Sequence, residues 1–144
     1  MKSRSGGFLI SQIKQLQDRV FDALLREAGI AELNGAQGRI LYVLWQEDNL
    51  PIIALSKRTS LAKTTLTGML DRMEESGFLR RVYDVQDRRM IRIVLTPKAK
   101  ALHETYIQVS ERMLALFYEG LGEEEIDVFE HTLLRVLENL QKRI

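Results

Sequence analysis

Residues 51–95 read PIIALSKRTSLAKTTLTGMLDRMEESGFLRRVYDVQDRRMIRIVL, and this stretch decides the fold. Pro51 is typical of the first position of a helix, where its missing N–H costs little, so a short helix is predicted from there. A tight link at residues 59–60 leads to a second helix over about residues 62–76. Gly77 ends that helix, because glycine adopts the left-handed conformation of a helix C-terminus cheaply. The pattern predicts a helix-turn-helix.

A β-hairpin is predicted directly after the second helix. Residues 78–83 and 90–95 are rich in β-branched and aromatic side chains, and the polar segment 84–89 separates them. The tip carries Arg88 and Arg89 side by side, and the negative potential of a DNA minor groove attracts guanidinium groups. Charges at a hairpin tip also commonly protect a sheet edge from aggregation. The preceding helix favours a wing that lies along DNA.

The second helix divides into two faces. One face has apolar residues at i, i+3, i+4 and i+7 spacing, namely Leu66, Met69, Leu70 and Met73. The residues on this helix that are candidates for DNA contact are Lys63, Thr64, Thr67, Gly68 and Arg72. Threonine can hydrogen-bond to base edges or contact a thymine methyl, and lysine can reach a guanine or a phosphate. An ordinary amphipathic surface helix would show the same division, so this helix alone does not decide the function.

The positive charge is concentrated in the middle of the chain. The 144 residues carry a net charge of +1, and 45% of them are hydrophobic, enough for a packed core. Nine basic and five acidic residues lie between Lys57 and Arg92, a net charge of +4, whereas the rest has 12 basic and 15 acidic residues, a net charge of −3. The distribution is typical of a protein with one face for phosphates, although a solvated basic face is an equal alternative on charge alone.

Several classes of function lack their residues in this sequence. There is no cysteine, and the two histidines, His103 and His131, are not spaced with carboxylates as metal ligands, so no metal or cofactor is expected. We find no nucleophile–histidine–acid set and no glycine-rich phosphate loop, and we do not expect an enzyme. No apolar run could cross a bilayer, and residues 1–7 lack the apolar stretch of a secretory signal. We expect a cytoplasmic protein without a membrane partner.

Long amphipathic helices are predicted on both sides of the central stretch. Residues 8–27 have helical apolar spacing, and Asn34 is a plausible N-cap of the next helix. Thr96 followed by Pro97 starts a long helix that reaches Gly120, and a last helix begins at Gly122. A small winged domain cannot cover all of these apolar stripes, so packing against a second copy is more economical than a monomeric bundle.

These elements predict a mainly α-helical fold with a small β-hairpin wing, of the α+β class. We expect the winged helix-turn-helix lobe to span residues 34–96. The helices of residues 1–33 and 97–144 are expected to form a dimerisation region.

Three stretches resemble the MarR (multiple antibiotic resistance regulator) family of transcriptional regulators. Residues 55–67 look like its helix-turn-helix, and residues 70–81 are similar to the segment that leads into its wing. Asp87 with Arg89, followed by Leu-Thr at residues 95–96, matches its wing signature, which is the most specific part. The resemblance covers nearly the whole chain.

The resemblance implies roles for particular residues. Arg89 would enter the minor groove with Asp87 as its orienting partner, and the major groove would be read by Lys63, Thr64 and Thr67. The sequence departs from the family's pattern at three positions. Ala62 replaces a frequent capping residue, Gly68 stands where arginine is frequent, and Val85 replaces a frequent proline in the wing.

The resemblance also implies a homodimer on double-stranded DNA, with two recognition helices about one turn apart on a palindromic operator. Family members often bind a small molecule between the dimerisation helices and the DNA-binding lobe. Candidates for a pocket that takes a small aromatic or anionic effector are Phe21, Arg39, Tyr42, Trp45 and Tyr106.

The leading hypothesis is a sequence-specific repressor that an effector releases from DNA, and activation is equally compatible with the sequence. The alternative from another class is a winged helix that serves protein–protein contacts and never binds DNA. A steep salt dependence of DNA binding would exclude that alternative.

Overall fold

The computed structural model describes residues 3–144, which form seven helices and a three-stranded antiparallel sheet. Met1 and Lys2, at the start of the predicted dimerisation region, lie outside the described residues. The elements in chain order are α1 (Gly6–Glu27), α2 (Gly35–Gln46), β1 (Leu50–Pro51), α3 (Ile52–Thr59), α4 (Lys63–Glu75), β2 (Leu79–Tyr83), β3 (Ile91–Leu95), α5 (Pro97–Ala101), α6 (His103–Phe117) and α7 (Glu123–Gln141). The predicted winged helix-turn-helix fold is confirmed.

One hydrophobic core holds the winged lobe together. The apolar face of α4 is buried as its spacing predicts, and it packs with side chains of α2, α3 and the sheet. The link between α3 and α4 is fixed by the Thr59 hydroxyl, which donates to the Leu55 carbonyl at 2.6 Å, and by Ser60 in the left-handed conformation. Asn34 is confirmed as the N-cap of α2, because its side chain accepts from the Gln37 N–H at 2.7 Å.

The sheet has one strand more than the predicted hairpin. β3 lies in the middle, with β2 on one side and β1 on the other. The placement of Pro51 as the first residue of a helix is therefore wrong. Pro51 pairs with Arg92 in β1 and precedes the first residue of α3, Ile52. An edge strand tolerates proline because one side of the strand needs no N–H donor, and two residues are too few to show alternation in sequence.

The predicted single helix from Thr96 to Gly120 is divided in two at Leu102. Thr96 is confirmed as the N-cap of α5. The Ala99 carbonyl accepts from the Leu102 N–H, only three residues on, and from the Trp45 indole N–H, both at 3.2 Å. The indole N–H belongs to Trp45 of α2, so a tertiary contact accompanies the break between α5 and α6. Helical periodicity in the sequence cannot reveal such a break.

The terminal helices are only partly covered. The C-terminal half of α1 buries Phe21, Leu24 and Leu25, whereas α7 has no buried residue. No helix within residues 3–144 is long and apolar enough to cross a membrane.

Candidate nucleic-acid interface and effector cavities

The exposed face of α4 presents the predicted base-reading residues together. Lys63, Thr64 and Thr67 are all exposed on its first two turns. The Thr67 hydroxyl donates to the Lys63 carbonyl at 2.9 Å, so its oxygen lone pairs remain available as acceptors. Ala62 precedes the helix without a side-chain cap, as its lack of a polar atom dictates. The first-turn N–H groups of α4 therefore receive no capping side chain from Ala62.

Gly68 lies on α4 in open surroundings. A Cβ atom built there would meet only the Arg72 guanidinium, at 3.9 Å, within the described residues. Packing therefore does not require glycine at this position, and the helix surface is flat where the family often carries a long side chain. Arg72 lies one turn further along and is exposed.

The wing tip is shaped by two carboxylates. Asp84 accepts from the N–H groups of Gln86 at 2.9 Å and Asp87 at 3.1 Å, and Asp87 accepts from the Arg89 N–H at 3.0 Å and Nε at 3.2 Å. The Arg89 side chain is 93% exposed, so its guanidinium extends from the turn while the Asp87 carboxylate holds it at Nε. Arg88 is exposed beside it. These hydrogen bonds order the tip, although Val85 stands where proline is frequent.

Asp84 also fixes the tip to the sheet. Its second oxygen accepts from the Arg92 Nε at 2.7 Å, and Arg92 donates further to the Asn49 carbonyl. The hydrogen bond from the Arg92 guanidinium, followed by those from the two turn amides, lowers the pKa of Asp84. The carboxylate stays ionised at neutral pH and keeps the turn in place.

Arg81 is a structural residue that sequence reasoning placed only among the basic residues. From β2, its guanidinium donates to Asp71 and to Glu74 of α4, both at 2.7 Å, and its backbone N–H donates to Glu74 at 3.1 Å. The bond from this backbone N–H, followed by that from the guanidinium, lowers the pKa of Glu74. The bonds from Arg81 to Asp71 and Glu74 join the wing to α4. The sequence signal for this contact is a pair of acids one helical turn apart, Asp71 and Glu74, followed by arginine in the strand after Gly77.

The positive charge of the central stretch remains largely available. Four of its nine basic residues form ion pairs: Arg58 with Glu47, Arg81, Arg89 with Asp87, and Arg92. The other five have no carboxylate oxygen within 4.0 Å anywhere in residues 3–144; they are Lys57, Lys63, Arg72, Arg80 and Arg88. A groove of about 690 Å³ brings Lys57 and Lys63 together with Arg89 of the wing. Of the three predicted major-groove readers, Lys63 therefore shares one cationic surface with the wing arginine.

The five candidate effector residues line two adjoining cavities rather than one. The first, of about 360 Å³, is lined by Phe21, Arg39, Tyr42 and Tyr106 among others, and is called the Arg39 cavity here. The second, of about 480 Å³, is called the Trp45 cavity; it is lined by Trp45 and shares Tyr42 and Tyr106 with the first. The structure thus brings four of the five together and separates Trp45 from Arg39.

Tyr106 stands between the two cavities and is held firmly. Its ring lies 5.5 Å from that of Phe21 and 4.8 Å from that of Trp45. Burial raises the pKa of Tyr106 to about 12, so the phenol is neutral at physiological pH. Its hydroxyl lies directly against α2, where a Cβ atom at Gly38 would approach it to 2.2 Å.

No group of three or more metal-ligating side chains is assembled within residues 3–144. The fold, the two-faced α4 and the arginine-tipped hairpin define a winged helix-turn-helix protein. The model of the MarR family matches residues 33–91.

Curated relatives and solved structures agree with this family. An uncharacterised helix-turn-helix transcriptional regulator, YsmB of Bacillus subtilis (strain 168), is 30% identical over 69% of this chain and 68% of its own. The repressor YetL of the same organism is 28% identical over 89% and 76%. The crystal structure of a cysteine-to-serine mutant of MarR from E. coli, complexed with operator DNA, superimposes with a TM-score of 0.82 at 26% identity, over 91% and 92% of the two chains. The chain belongs to the MarR family of DNA-binding transcriptional regulators.

Proposed function

We propose that the chain is a repressor that binds a palindromic operator in double-stranded DNA as a homodimer. The observation that carries the proposal is the cationic surface on which Lys57, Lys63 and Arg89 line one groove. The similarity to the MarR structure with operator DNA supports DNA as the partner, and the similarity to the repressor YetL supports the sign of regulation. Residues 34–96 form the DNA-binding lobe in this proposal, and residues 1–33 and 97–144 form the dimerisation region.

Each exposed polar residue has a role in this proposal. Lys63, Thr64 and Thr67 read the major groove from the N-terminal half of α4, and Gly68 allows close approach of the helix. Arg89 enters the minor groove, with Asp87 limiting its orientations through the contact at Nε. Phosphates are contacted by Arg72 and Arg88, which have no carboxylate partner within the described residues.

The dimer is proposed from the uncovered helices. The N-terminal half of α1 exposes Phe8, Leu9 and Ile13, and α7 exposes Leu133, Leu137 and Leu140. These faces amount to a large apolar surface that a second copy would cover. Two-fold symmetry then places two α4 helices on one side of the dimer, as a palindrome requires.

The Arg39 cavity is the proposed site of an anionic aromatic effector. It lies between α1, α2 and α6, where the lobe meets the terminal helices. Lys14 is paired with Asp18 there, whereas Arg39 has no carboxylate within 4.0 Å among residues 3–144. A carboxylate ligand can pair with this guanidinium while its ring packs on Phe21 and Tyr106. Binding would favour one separation of the two α4 helices and so lower operator affinity.

Selection of bound sequences from a random duplex pool, at two salt concentrations, tests the proposal. We expect an enriched palindrome with half-sites about one helical turn apart, and affinity that falls steeply with salt. An absence of enrichment together with salt-insensitive binding would contradict it and favour the protein–protein module.

Arg89→Ala provides the sharper test on the selected operator. We expect its affinity to fall at least tenfold and the salt slope to decrease by about 1, because one guanidinium is lost from the minor groove. The matched control is Arg112→Ala, which removes an exposed arginine paired with Glu27, outside the winged lobe. Equal operator affinity of the Arg89 variant and the parent would show that the wing role is wrong.

A further inference from the structure

The Arg39 and Trp45 cavities differ in charge although they share a wall. The Arg39 cavity contains the Arg39 guanidinium, which has no carboxylate oxygen within 4.0 Å in residues 3–144. The Trp45 cavity is lined by neither lysine nor arginine in the part of the chain that the structure describes, and the one carboxylate on its lining is that of Glu111. The two cavities should therefore prefer ligands of opposite charge.

Aromatic rings dominate the Trp45 cavity. The rings of Trp45 and His103 are stacked with centroids 4.9 Å apart, and Tyr106 lies 4.8 Å from Trp45 at 52°. Tyr42 contributes a further ring from α2 and is 56% exposed. The faces of such rings carry negative potential, so a group of them attracts a cation that a ligand brings against the ring surface lining the cavity.

Glu111 adds a formal negative charge to these rings. It lies on α6 and is exposed, and no lysine or arginine nitrogen lies within 4.0 Å of its carboxylate in residues 3–144. An unpaired carboxylate at the mouth of an aromatic cavity fits the charge of a cation and leaves the rings to cover its apolar substituents. An inorganic cation would find few oxygen ligands here, because the remaining lining is mainly aromatic and aliphatic.

We propose that the Trp45 cavity binds an organic cation, such as a quaternary ammonium group that carries an aromatic ring. Its volume of about 480 Å³ suits a ligand of one or two rings. The site is separate from the anionic effector site of the proposed function and does not depend on DNA binding. Tyr42, Tyr106, Ser110 and Leu114 border both cavities, so a cation on one side and an anion on the other share four lining side chains.

Fluorescence of Trp45 tests the proposal directly, because it is the one tryptophan in the sequence. The full chain is titrated with benzyltrimethylammonium at constant ionic strength and at pH 8. Benzyl alcohol and benzoate, which keep the aromatic ring but lack the trimethylammonium group, serve as neutral and anionic probes. Calorimetric titration repeats each measurement without relying on an optical signal. We expect saturable binding of the cation and a dissociation constant at least threefold higher for the neutral probe.

The substitution Glu111→Gln removes the negative charge of this side chain and keeps its size. We expect this variant to bind the cation about two- to fivefold more weakly while its affinity for benzyl alcohol stays constant. Glu104→Gln, which removes another exposed carboxylate of α6 that is not on the cavity lining, is the matched control and should leave both affinities unchanged. Tyr42→Leu should weaken cation binding about two- to thirtyfold, because it removes an exposed ring without emptying the core.

Three results would overturn the proposal: no saturable binding of the cation by either method, equal affinity for cation and benzyl alcohol, or equal affinity of the Glu111→Gln variant and the parent. Selection of an operator is measured separately, in the absence of the cation. Failure of cation binding with intact operator selection overturns this inference alone, and the reverse result overturns the proposed function alone.

Discussion

The winged lobe buries its apolar side chains, whereas the terminal helices leave many of theirs exposed. On α4, Leu66, Met69, Leu70 and Met73 are all at most 5% exposed. On α7, Leu134 and Leu140 are 56% and 60% exposed, and no residue of the helix is buried. Both helices are amphipathic, so the difference lies in what covers them and not in their sequence pattern.

This difference indicates which region completes its core within one chain. Burial of a leucine side chain contributes about 1.5–3 kcal/mol, and α4 obtains this contribution from its own lobe. α7 contacts the rest of the chain near its start, where the ring centroid of Phe129 lies 6.4 Å from that of Phe117 and 6.1 Å from that of Tyr118. Its leucines further along, such as Leu140, are left for a second copy to cover in the proposed dimer, where their burial would add to stability.

α1 shows both behaviours along one helix. Phe21, Leu24 and Leu25 belong to the same core as the winged lobe. Phe8 and Ile10, nearer the N-terminus, are largely exposed. α1 therefore runs from the core of the lobe to the proposed dimer surface.

Leu137→Asp should have the largest effect on the terminal helices. Because a two-fold interface contains the substitution twice, and each copy loses roughly 2 kcal/mol of burial, we expect the dimer dissociation constant to rise about 1,000-fold. Analytical ultracentrifugation over a range of concentrations measures this constant.

The lobe should remain folded in this variant, with unchanged secondary structure by circular dichroism. Glu138→Gln, at the next position of α7, is the control and should leave the dissociation constant unchanged. A Leu137→Asp protein that sediments as the parent does would contradict the proposed interface.

Gly38→Ala tests the junction between the lobe and the terminal helices. Its Cβ atom would approach the Tyr106 hydroxyl to 2.2 Å, and Tyr106 cannot move easily because Phe21 and Trp45 enclose its ring. We expect the free energy of unfolding to fall by about 1–3 kcal/mol in urea titrations at one fixed protein concentration.

Gly68→Ala is the matched substitution in the interior of α4, at a position with open surroundings. Its Cβ atom meets nothing closer than 3.9 Å, so the higher helix propensity of alanine should raise the free energy of unfolding by about 0.5–1 kcal/mol. Replacing glycine by alanine should thus lower the free energy of unfolding at Gly38 and raise it at Gly68. Equal effects would show that α2 and α6 do not pack as closely as the structure has them.

Local chemistry made much of this fold predictable from the sequence. Asn34 and Thr96 cap helices because their side-chain oxygens accept from the first turn, and the four apolar residues of α4 face the core because their spacing is helical. Features that arise from contacts between distant residues were missed. β1 exists because Leu50 pairs with Ile93, and the break at Leu102 coincides with the contact between Trp45 and Ala99.

The candidate site shows the same limit. Sequence reasoning found the exposed residues of α4 and the wing, since an amphipathic helix and a charged hairpin tip are local patterns. It assigned one effector pocket, whereas α6 divides the five candidates between two cavities. The partners of Arg81 depend on how β2 lies against α4, which spacing along the chain does not specify.

Arg81→Ala should have the smallest effect, and it tests how the lobe is held internally. The two carboxylates it contacts are partly exposed, so we expect a loss of roughly 1 kcal/mol or less at pH 7. Because Arg81 lowers the pKa of Glu74 in the folded protein, the pair stabilises the fold above the unfolded value of 4.5 and loses that effect as the pH falls through the lowered pKa. The variant keeps the backbone N–H bond to Glu74 and loses only the guanidinium, so the pKa of Glu74 should rise part of the way toward 4.5, measured by carboxyl carbon NMR during an acid titration. The difference in unfolding free energy between parent and variant should narrow in acid, and a difference that stays constant down to complete protonation would show that Arg81 does not act through Glu74.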